Sequence, residues 1–438
     1  MSQNPIKNAI SSVYASAFKH PKITPEFSAA FELLEKTKQN VFLTGKAGTG
    51  KSTFLHYFRE NTAKKIAVVA PTGVAALNVS GQTIHSFFRL KPAFVNVGEL
   101  KPIRNRVLKE LELLIIDEIS MVRADIFDGI DHSLRLARKN QKPFGGVQIC
   151  VIGDLFQLPP VVTGEEKAIF SEHYSSPFFF CAKAYSEAEF KTIQFSTIHR
   201  QNDAEFIHIL NSIRAGACGA GELKTLNSRH LPKATPAPNT LVLTSTNALA
   251  ENINSEKLAK LQTKAKIYEG DLKGEFGMKG GRLPAPEQLA LKVGAQVMFV
   301  KNDPEGRWVN GTIGIVEKLE DEIITVRVGD VLHEAPPEKW KNIGYEFSEA
   351  EEKIVEKTLG SYTQFPLMLA WAITIHKSQG KTLERVIIDL GRGAFAAGQL
   401  YVALSRCKTL SGIALKQPVT NADIRCDPQV LEFMNKFT

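Results

Sequence analysis

The sequence predicts an α/β protein of two lobes, each a parallel sheet covered by helices, with a small β-barrel inserted into the second. Three observations carry this. A strand, a glycine-rich loop and a helix follow one another between Val41 and Arg59. Short apolar runs then alternate with segments of helical spacing along most of the chain, the pattern of strands joined by covering helices. Over residues 302–364 the texture changes to short, β-branched, alternating runs that suit antiparallel strands.

Val41-Phe42-Leu43-Thr44 reads as a buried strand. It leads into Gly45-Lys46-Ala47-Gly48-Thr49-Gly50-Lys51-Ser52, where four free positions between the outer glycines are followed by Lys and Ser. Such a loop turns consecutive backbone N–H groups inward around phosphate oxygens. Its Lys reaches the β/γ-phosphates and its Ser hydroxyl ligates Mg²⁺. The helix opening at Thr53 adds the partial positive charge of its N-terminus. A glycine-rich surface turn is the bland alternative, and the strand–loop–helix setting disfavours it. The implied ligand is a nucleoside triphosphate with Mg²⁺, met by Gly45, Ala47, Gly48, Thr49, Gly50, Lys51, Ser52 and Thr53.

Strands follow at Ile66–Ala70, 113–117 and 148–154, each ending in small or acidic residues. Ile126, Phe127, Ile130, Leu134 and Ala137 recur at helical spacing between the last two. The active edge of such a sheet lies at the C-terminal ends of its strands. From Phe87 to Arg106 the pattern lapses into a basic, proline-containing stretch, read as an inserted loop or small subdomain. The first lobe thus covers residues 1–189 with the insertion at 87–106. The second covers 190–301 and 365–438. Its strands are expected at 192–196, Leu241–Thr244, 296–300, 386–390 and 412–415, and its helices at Ala204–Arg214, 247–261 and 398–405. A proline-rich linker is expected around Pro232 to Pro238. Inside the 302–364 insertion, strands at 312–316, 323–328 and Val331–Ala335 enclose Gly329-Asp330, which suits a two-residue hairpin turn with Gly first.

Composition bounds the function classes. A chain of 438 residues that is 43% hydrophobic and 23% charged is an ordinary globular protein of two or three domains. A net charge of +8 and a pI near 9.0 mildly favour a polyanionic partner. The five cysteines are scattered and form no Cys-x-x-Cys pair, so reduced thiols in a cytosolic compartment are expected and a zinc site is not. Neither a signal peptide in Met1 to Ala17 nor a membrane span is legible. A soluble protein without a membrane partner is expected.

Leu113-Leu114-Ile115-Ile116-Asp117-Glu118 is an apolar strand ending in two carboxylates. The first suits the Mg²⁺ shell and the second the attacking water; a helix-capping acidic pair is the other reading. Gln157, at a third strand end, is placed to touch a γ-phosphate, although alone it reads as a loop residue. Arg200 and Arg406 are candidates for stabilising transition-state charge. By spacing alone each reads first as a structural salt bridge. Both belong to the second lobe, so they reach the nucleotide only if it sits in a cleft between lobes.

With Ala70-Pro71-Thr72-Gly73-Val74-Ala75-Ala76-Leu77 and Ile375-His376-Lys377-Ser378-Gln379-Gly380, the chain resembles superfamily 1B DNA helicases, in the petite-integration-frequency (Pif-type) branch. Ser120-Met121-Val122 through Asp125 to Lys142-Pro143-Phe144-Gly145-Gly146-Val147-Gln148 looks like the stretch that separates this branch from RecD-like relatives. The resemblance runs from Ile23 to Leu415. It implies two RecA-like lobes (1A and 2A), a wedge insertion (1B) and an SH3-like insertion (2B). It also implies ATP-dependent 5′-to-3′ translocation on single-stranded DNA, with unwinding of forked duplexes and G-quadruplexes in repair, recombination and telomere maintenance. A monomer or loose DNA-induced dimer is implied, nucleoid-associated in the cytoplasm if bacterial. Carried over, Lys51 and Ser52 meet phosphate and Mg²⁺; Asp117 and Glu118 serve metal and water; Gln157 senses the γ-phosphate; Arg200 and Arg406 are the fingers; Gln379 and Gly380 line the cleft. One departure is Phe27, which stands where family members place a Gln read as an adenine contact. Base recognition that is looser or backbone-mediated is expected, with Phe27 free to pack in the core.

Single-strand binding needs phosphate donors and flat faces for bases. Pro71, Thr72, Gly73, Thr83, His85 and Ser86 form one candidate grip; Thr244, Thr246, Asn247, His376, Lys377 and Ser378 form the other. A lone His is usually structural, but a hydroxyl-and-His cluster in each lobe favours DNA contact. Phe87 and Phe88 suit either core packing or base stacking. A RecD-like motor subunit of a recombination or conjugation complex is the alternative; an additional partner-binding domain is expected of one, and the short stretch before Ile23 argues against it. A catalytically dead DNA-binding module is disfavoured by the intact Lys51, Asp117, Glu118, Arg200 and Arg406, and an RNA substrate leaves no clear mark to tell it from DNA.

Overall fold

The computed structural model describes residues 23–232, 240–276 and 283–437. The Met1 to Ala17 stretch and, apart from Pro232, the proline-rich linker lie outside them. The first lobe is built on β1 (Asn40–Gly45), β2 (Ile66–Ala70), β3 (Gln82–Thr83), β4 (Leu113–Ile116), β5 (Gln148–Gly153) and β6 (Phe190–Phe195), in the order β3-β2-β4-β5-β1-β6. All its pairings are parallel. Because side chains alternate across a strand, each run feeds two cores. Phe42, Leu114, Ile116, Ile149 and Val151 enter one; Val41, Leu43, Leu113, Ile115, Cys150 and Ile152 enter the other. A sheet covered on both faces explains the near-continuous apolar runs.

The strand at Phe190–Phe195 was expected to open the second lobe. It instead pairs with β1 from Asn40↔Phe190 to Gly45↔Phe195, so it closes the first sheet. The boundary at 189/190 therefore moves beyond Phe195. Its half-exposed pattern is that of an edge strand.

The second lobe carries a four-stranded parallel sheet ordered Ala372–Thr374, Leu241–Thr244, Val386–Asp389, Ile413–Leu415. Gln296–Phe299 is not part of it. That strand pairs antiparallel with Ile313–Leu319 and Leu367–Leu369, so the inserted sheet reaches outside the 302–364 span. The cause is burial on both faces: Val297 and Phe299 fill the insertion's core while Met298 enters that of the second lobe. Its burial therefore imitates a central parallel strand. The turn at Gly329-Asp330 forms as expected, with Val328 opposite Val331 and Gly329 at φ +58°.

Beyond that sheet, Glu338–Ser348 and Lys353–Gln364 form a long hairpin that returns to the first lobe. The Val68 N–H donates to the Tyr345 hydroxyl at 3.1 Å, and the Tyr345 ring meets Phe87 edge-on. Phe87 and Phe88 are both buried, with ring centroids 4.9 Å apart, which settles them as core rather than stacking platforms. The 87–106 segment is pinned by a buried pair. Arg123 and Asp125 lie 2.6 Å apart, the Asp125 carboxylate takes the Val95 N–H at 2.8 Å, and Arg123 donates to the Ala93 carbonyl. No helix among the described residues is long and apolar enough to cross a membrane.

Candidate functional site

The phosphate-type loop joins β1 to the helix Lys51–Asn61. Gly50 caps that helix at φ +88°, a conformation that disfavours any side chain. At Gly48 a Cβ would lie 2.6 Å from the Arg200 Cβ, so this loop touches the segment carrying the first arginine. The His199 N–H donates to the Gly48 carbonyl at 2.9 Å. Thr49 Oγ1 donates to the Lys46 carbonyl. Lys51 is half-buried. Its Nζ donates to the Gly45 and Lys46 carbonyls at 2.7 and 3.0 Å, closing the loop on itself. Burial lowers its pKa, and the Asp154 and Glu118 charges offset part of that.

Asp117 and Glu118 follow β4, with Glu118 in the left-handed region at φ +50°. Such a conformation costs on the order of 1–3 kcal/mol in a non-glycine residue and turns the side chain toward the cleft. Burial, then the neighbouring Glu118 charge, pushes the Asp117 carboxyl up to about 7. Burial raises Glu118 as well, against the pull of Lys51 and Arg406.

One group of the second lobe meets Glu118. Gln379 Nε2 donates to Glu118 Oε2 at 3.1 Å and lies 3.3 Å from Gln157 Oε1. Gly380 beside it is open, with nothing near its missing Cβ. Arg406 is fully buried, its Nε donating to the Val402 carbonyl and its Nη2 to Ser405 Oγ at 2.7 Å. Burial, then the Arg200 charge, lowers its pKa to about 9. Arg200 Nη1 donates to the Ser405 carbonyl at 3.2 Å, so both arginines converge on one turn. Among the described residues the Arg406 guanidinium meets its own turn and not a carboxylate, unlike the structural salt bridge that spacing alone suggested. Ser52 and Thr53 lie in the first turn of the helix after the loop.

The DNA candidates fall at strand C-terminal ends. Thr72, Thr83 and Thr246 each cap a helix, accepting the N–H of Ala75, Ser86 and Leu249 respectively. The Pro71–Gly73 and Thr83–Ser86 segments extend adjacent parallel strands, β2 and β3. Gln82 holds Ser86 Oγ at 2.8 Å, and burial, then the Arg123 charge, lowers His85. Thr244–Asn247 and His376–Lys377 follow the paired strands Leu241–Thr244 and Ala372–Thr374. Thr72, Ser86, Thr246, Asn247 and Lys377 face solvent. Two candidates do not. Thr244 is buried with its hydroxyl donating to the Thr246 carbonyl, and Ser378 is buried with its hydroxyl on the Ile375 carbonyl. Both brace their turns, so neither side chain is a phosphate contact here.

Phe27 is core. It packs edge-on against Phe54 at 5.0 Å and parallel to Phe195 at 6.1 Å. Three residues of the cleft escaped the sequence reading: Asp154, Arg214 and Tyr401. The Ala47 N–H donates to the Tyr401 hydroxyl at 3.1 Å, and Arg214 Nη2 donates to Asp154 Oδ1 at 2.9 Å. The acid after Gly153 at a strand end was the available signal; the other two had none.

A family model described as PIF1-like helicase matches residues 24–223, and one described as DNA helicase Pif1, 2B domain, matches 282–319. An ATP-dependent DNA helicase Pif1 of Bdellovibrio bacteriovorus is 35% identical over 429 residues, covering 95% of this chain and 92% of the relative. Bacteroides sp Pif1 in complex with ADP-AlF4 superposes with a TM-score of 0.87 at 39% identity, covering 95% of this chain and 97% of that one. Bacteroides Pif1 bound to ssDNA gives 0.70 at 40% identity over the same shares. The two lobes are therefore RecA-like, and the chain belongs to the PIF1-like helicase family.

Proposed function

We propose that this chain is an ATP-dependent DNA helicase that moves 5′-to-3′ on single-stranded DNA, hydrolysing ATP in the cleft between its RecA-like lobes. The observation that carries the reading is the hydrogen bond from Gln379 to Glu118, which brings a second-lobe amide onto a first-lobe carboxylate beside Lys51. In this reading Lys51 and the loop N–H groups hold the triphosphate, Glu118 orients and deprotonates the attacking water, and Gln157 senses the γ-phosphate. Arg200 and Arg406 meet the charge that develops as the terminal bond breaks, a contribution of about 10³–10⁵ in rate for such groups.

The donor set suits a hard divalent ion. The Ser52 hydroxyl and the Asp117 carboxylate would hold Mg²⁺, which neutralises phosphate charge when bound. Asp117, high in pKa beside Glu118, is the group such a charge would keep ionised.

DNA is gripped at two places, Pro71–Gly73 with Thr83–Ser86 on one lobe and Thr246, Asn247, His376 and Lys377 on the other. Closure of the cleft shifts one grip relative to the other, which advances the strand. The 87–106 segment would act as the wedge, and forked duplexes and G-quadruplexes are the proposed substrates, worked by a monomer or a loose DNA-induced dimer. Unwinding of 5′-tailed and 3′-tailed duplexes with ATP tests it: only the 5′-tailed duplex is expected to open, and a 3′ preference would overturn the reading.

A further inference from the structure

The Asp154 carboxylate is wholly enclosed at the seam between the lobes. From the second lobe, Arg214 Nη2 donates to Oδ1 at 2.9 Å and the Tyr401 hydroxyl donates to Oδ2 at 3.4 Å. From its own turn, the Phe156 N–H donates to Oδ1 at 3.3 Å and Gln157 Nε2 to Oδ2 at 3.4 Å. Arg214 closes the helix Ala204–Arg214, whose Phe206, Ile209, Leu210 and Ile213 sit in the second lobe's core. Its guanidinium carbon lies 3.8 Å from the centroid of the Phe156 ring, which fixes the fork in one plane.

A buried ion pair contributes little to stability, because desolvation cancels most of the attraction; its better-attested use is to specify one arrangement. The arrangement specified here is readable. With Oδ1 held by Arg214, Oδ2 is presented to Gln157 Nε2, which turns the amide oxygen of Gln157 toward Gln379 Nε2 at 3.3 Å. Gln379 in turn holds Glu118 at 3.1 Å. A continuous path therefore runs Arg214–Asp154–Gln157–Gln379–Glu118, crossing the seam between lobes at both ends. Burial works against the charge on Asp154, and Arg214 with Lys51 keeps it ionised.

We infer that Arg214 is a positioning residue for ATP hydrolysis: acting through Asp154, it sets the orientation of Gln157 only when the second lobe is seated on the first. This rests on the proposed role of Gln157 at the γ-phosphate. Tyr401 supplies the same carboxylate with a second link, to the phosphate loop through Ala47.

The test is a double-mutant cycle on the full chain, measuring ATPase kcat and KM at saturating ssDNA oligonucleotide for Arg214→Met, Gln157→Ala and the pair. Each single change is expected to lower kcat about tenfold, and the pair to fall no more than about twofold below the worse single change. Should Arg214→Met not melt cooperatively, Arg214→Lys takes its place, since it keeps the charge and loses the planar fork. Tyr401→Phe, which removes only a hydroxyl, is expected to lower kcat by about threefold and to show the same non-additivity with Gln157→Ala. Losses that multiply to about a hundredfold in the Arg214 cycle, or Arg214 variants with lowered Tm and wild-type kcat, would overturn the inference. Wild-type turnover in Gln157→Ala alone is a different failure: it removes the sensor role itself, and the inference falls with it.

Discussion

Gln379 Nε2 donates to Glu118 Oε2 at 3.1 Å, joining an amide that directly follows the His376–Ser378 turn to a carboxylate two residues beyond β4. The turn belongs to one lobe's candidate DNA grip and the carboxylate to the other lobe's chemistry. In the proposed reading, one hydrogen bond would connect DNA contact to hydrolysis. Glu118→Gln is expected to lower ssDNA-stimulated kcat by about 10²–10⁴, the usual worth of a positioned base, while keeping nucleotide affinity. Gln379→Ala is expected to cost about ten- to a hundredfold, as for a lost hydrogen bond to a charged group. Steady-state ATPase, with fluorescence anisotropy to confirm ssDNA binding, checks both.

Arg406 is held by its own turn, through Val402 and Ser405, rather than by a carboxylate. Its charge is thus kept near the cleft without being neutralised. Arg406→Ala is expected to depress kcat by about 10³ with the nucleotide Kd within about threefold of wild type. Turnover close to wild type would return it to a structural role.

The Asp117 carboxyl, raised to about 7 by burial and by Glu118, gives a pH dependence of known sign. In an unfolded chain aspartate titrates near ~3.9, so between about 4 and 7 the folded chain holds the extra proton. The contribution of Asp117 to the stability of the nucleotide-free protein is therefore full below that window and declines as pH rises through it. Thermal melts across the window are expected to show the Tm of Asp117→Asn gaining on that of wild type as pH rises. Mg²⁺–nucleotide affinity, which needs the ionised carboxylate, is expected to run the other way and strengthen toward pH 7 and above.

Phe87 and Phe88 are core, so a wedge at 87–106 must act through exposed basic side chains, among them Arg89, Lys91 and Arg104. Changing all three to Ala is expected to reduce unwinding of a forked duplex about tenfold with ATPase within about twofold, because phosphate contacts are lost without touching the cleft. Equal losses in both assays would argue against a wedge.

Phe27 packs among Phe54, Tyr57 and Phe195 and offers a base no hydrogen bond. A site that hydrogen-bonds its ligand can discriminate by ~10⁴-fold or more, whereas an apolar one cannot. Hydrolysis of GTP is expected to reach a kcat/KM within about tenfold of that for ATP.

Much of this was legible because local rules decide it. β2, the helix Ala204–Arg214 and Val331–Ala335 occur where apolar period and turn residues place them. Partner choice is not local. Phe190–Phe195 and Gln296–Phe299 were recognisable as strands, yet which sheet each joined depended on pairing with Asn40–Gly45 in one case and with Ile313–Leu319 and Leu367–Leu369 in the other. The seam was equally hidden. Tyr401 meets Ala47 across 354 positions, and Arg214 meets Asp154 across 60, with no motif linking either pair. Thr244 and Ser378 misled for a related reason: a hydroxyl at a strand end can turn inward to satisfy its own turn.

The central claim is a single nucleotide site assembled from both lobes, and a crystal structure with Mg²⁺, ADP–aluminium fluoride and a single-stranded oligonucleotide measures it most directly. Lys51, Glu118, Gln379 and Arg406 are all predicted to lie within hydrogen-bond reach of the nucleotide, its phosphoryl mimic or the attacking water. Guanidinium and amide groups of the second lobe left far from the triphosphate would contradict the account.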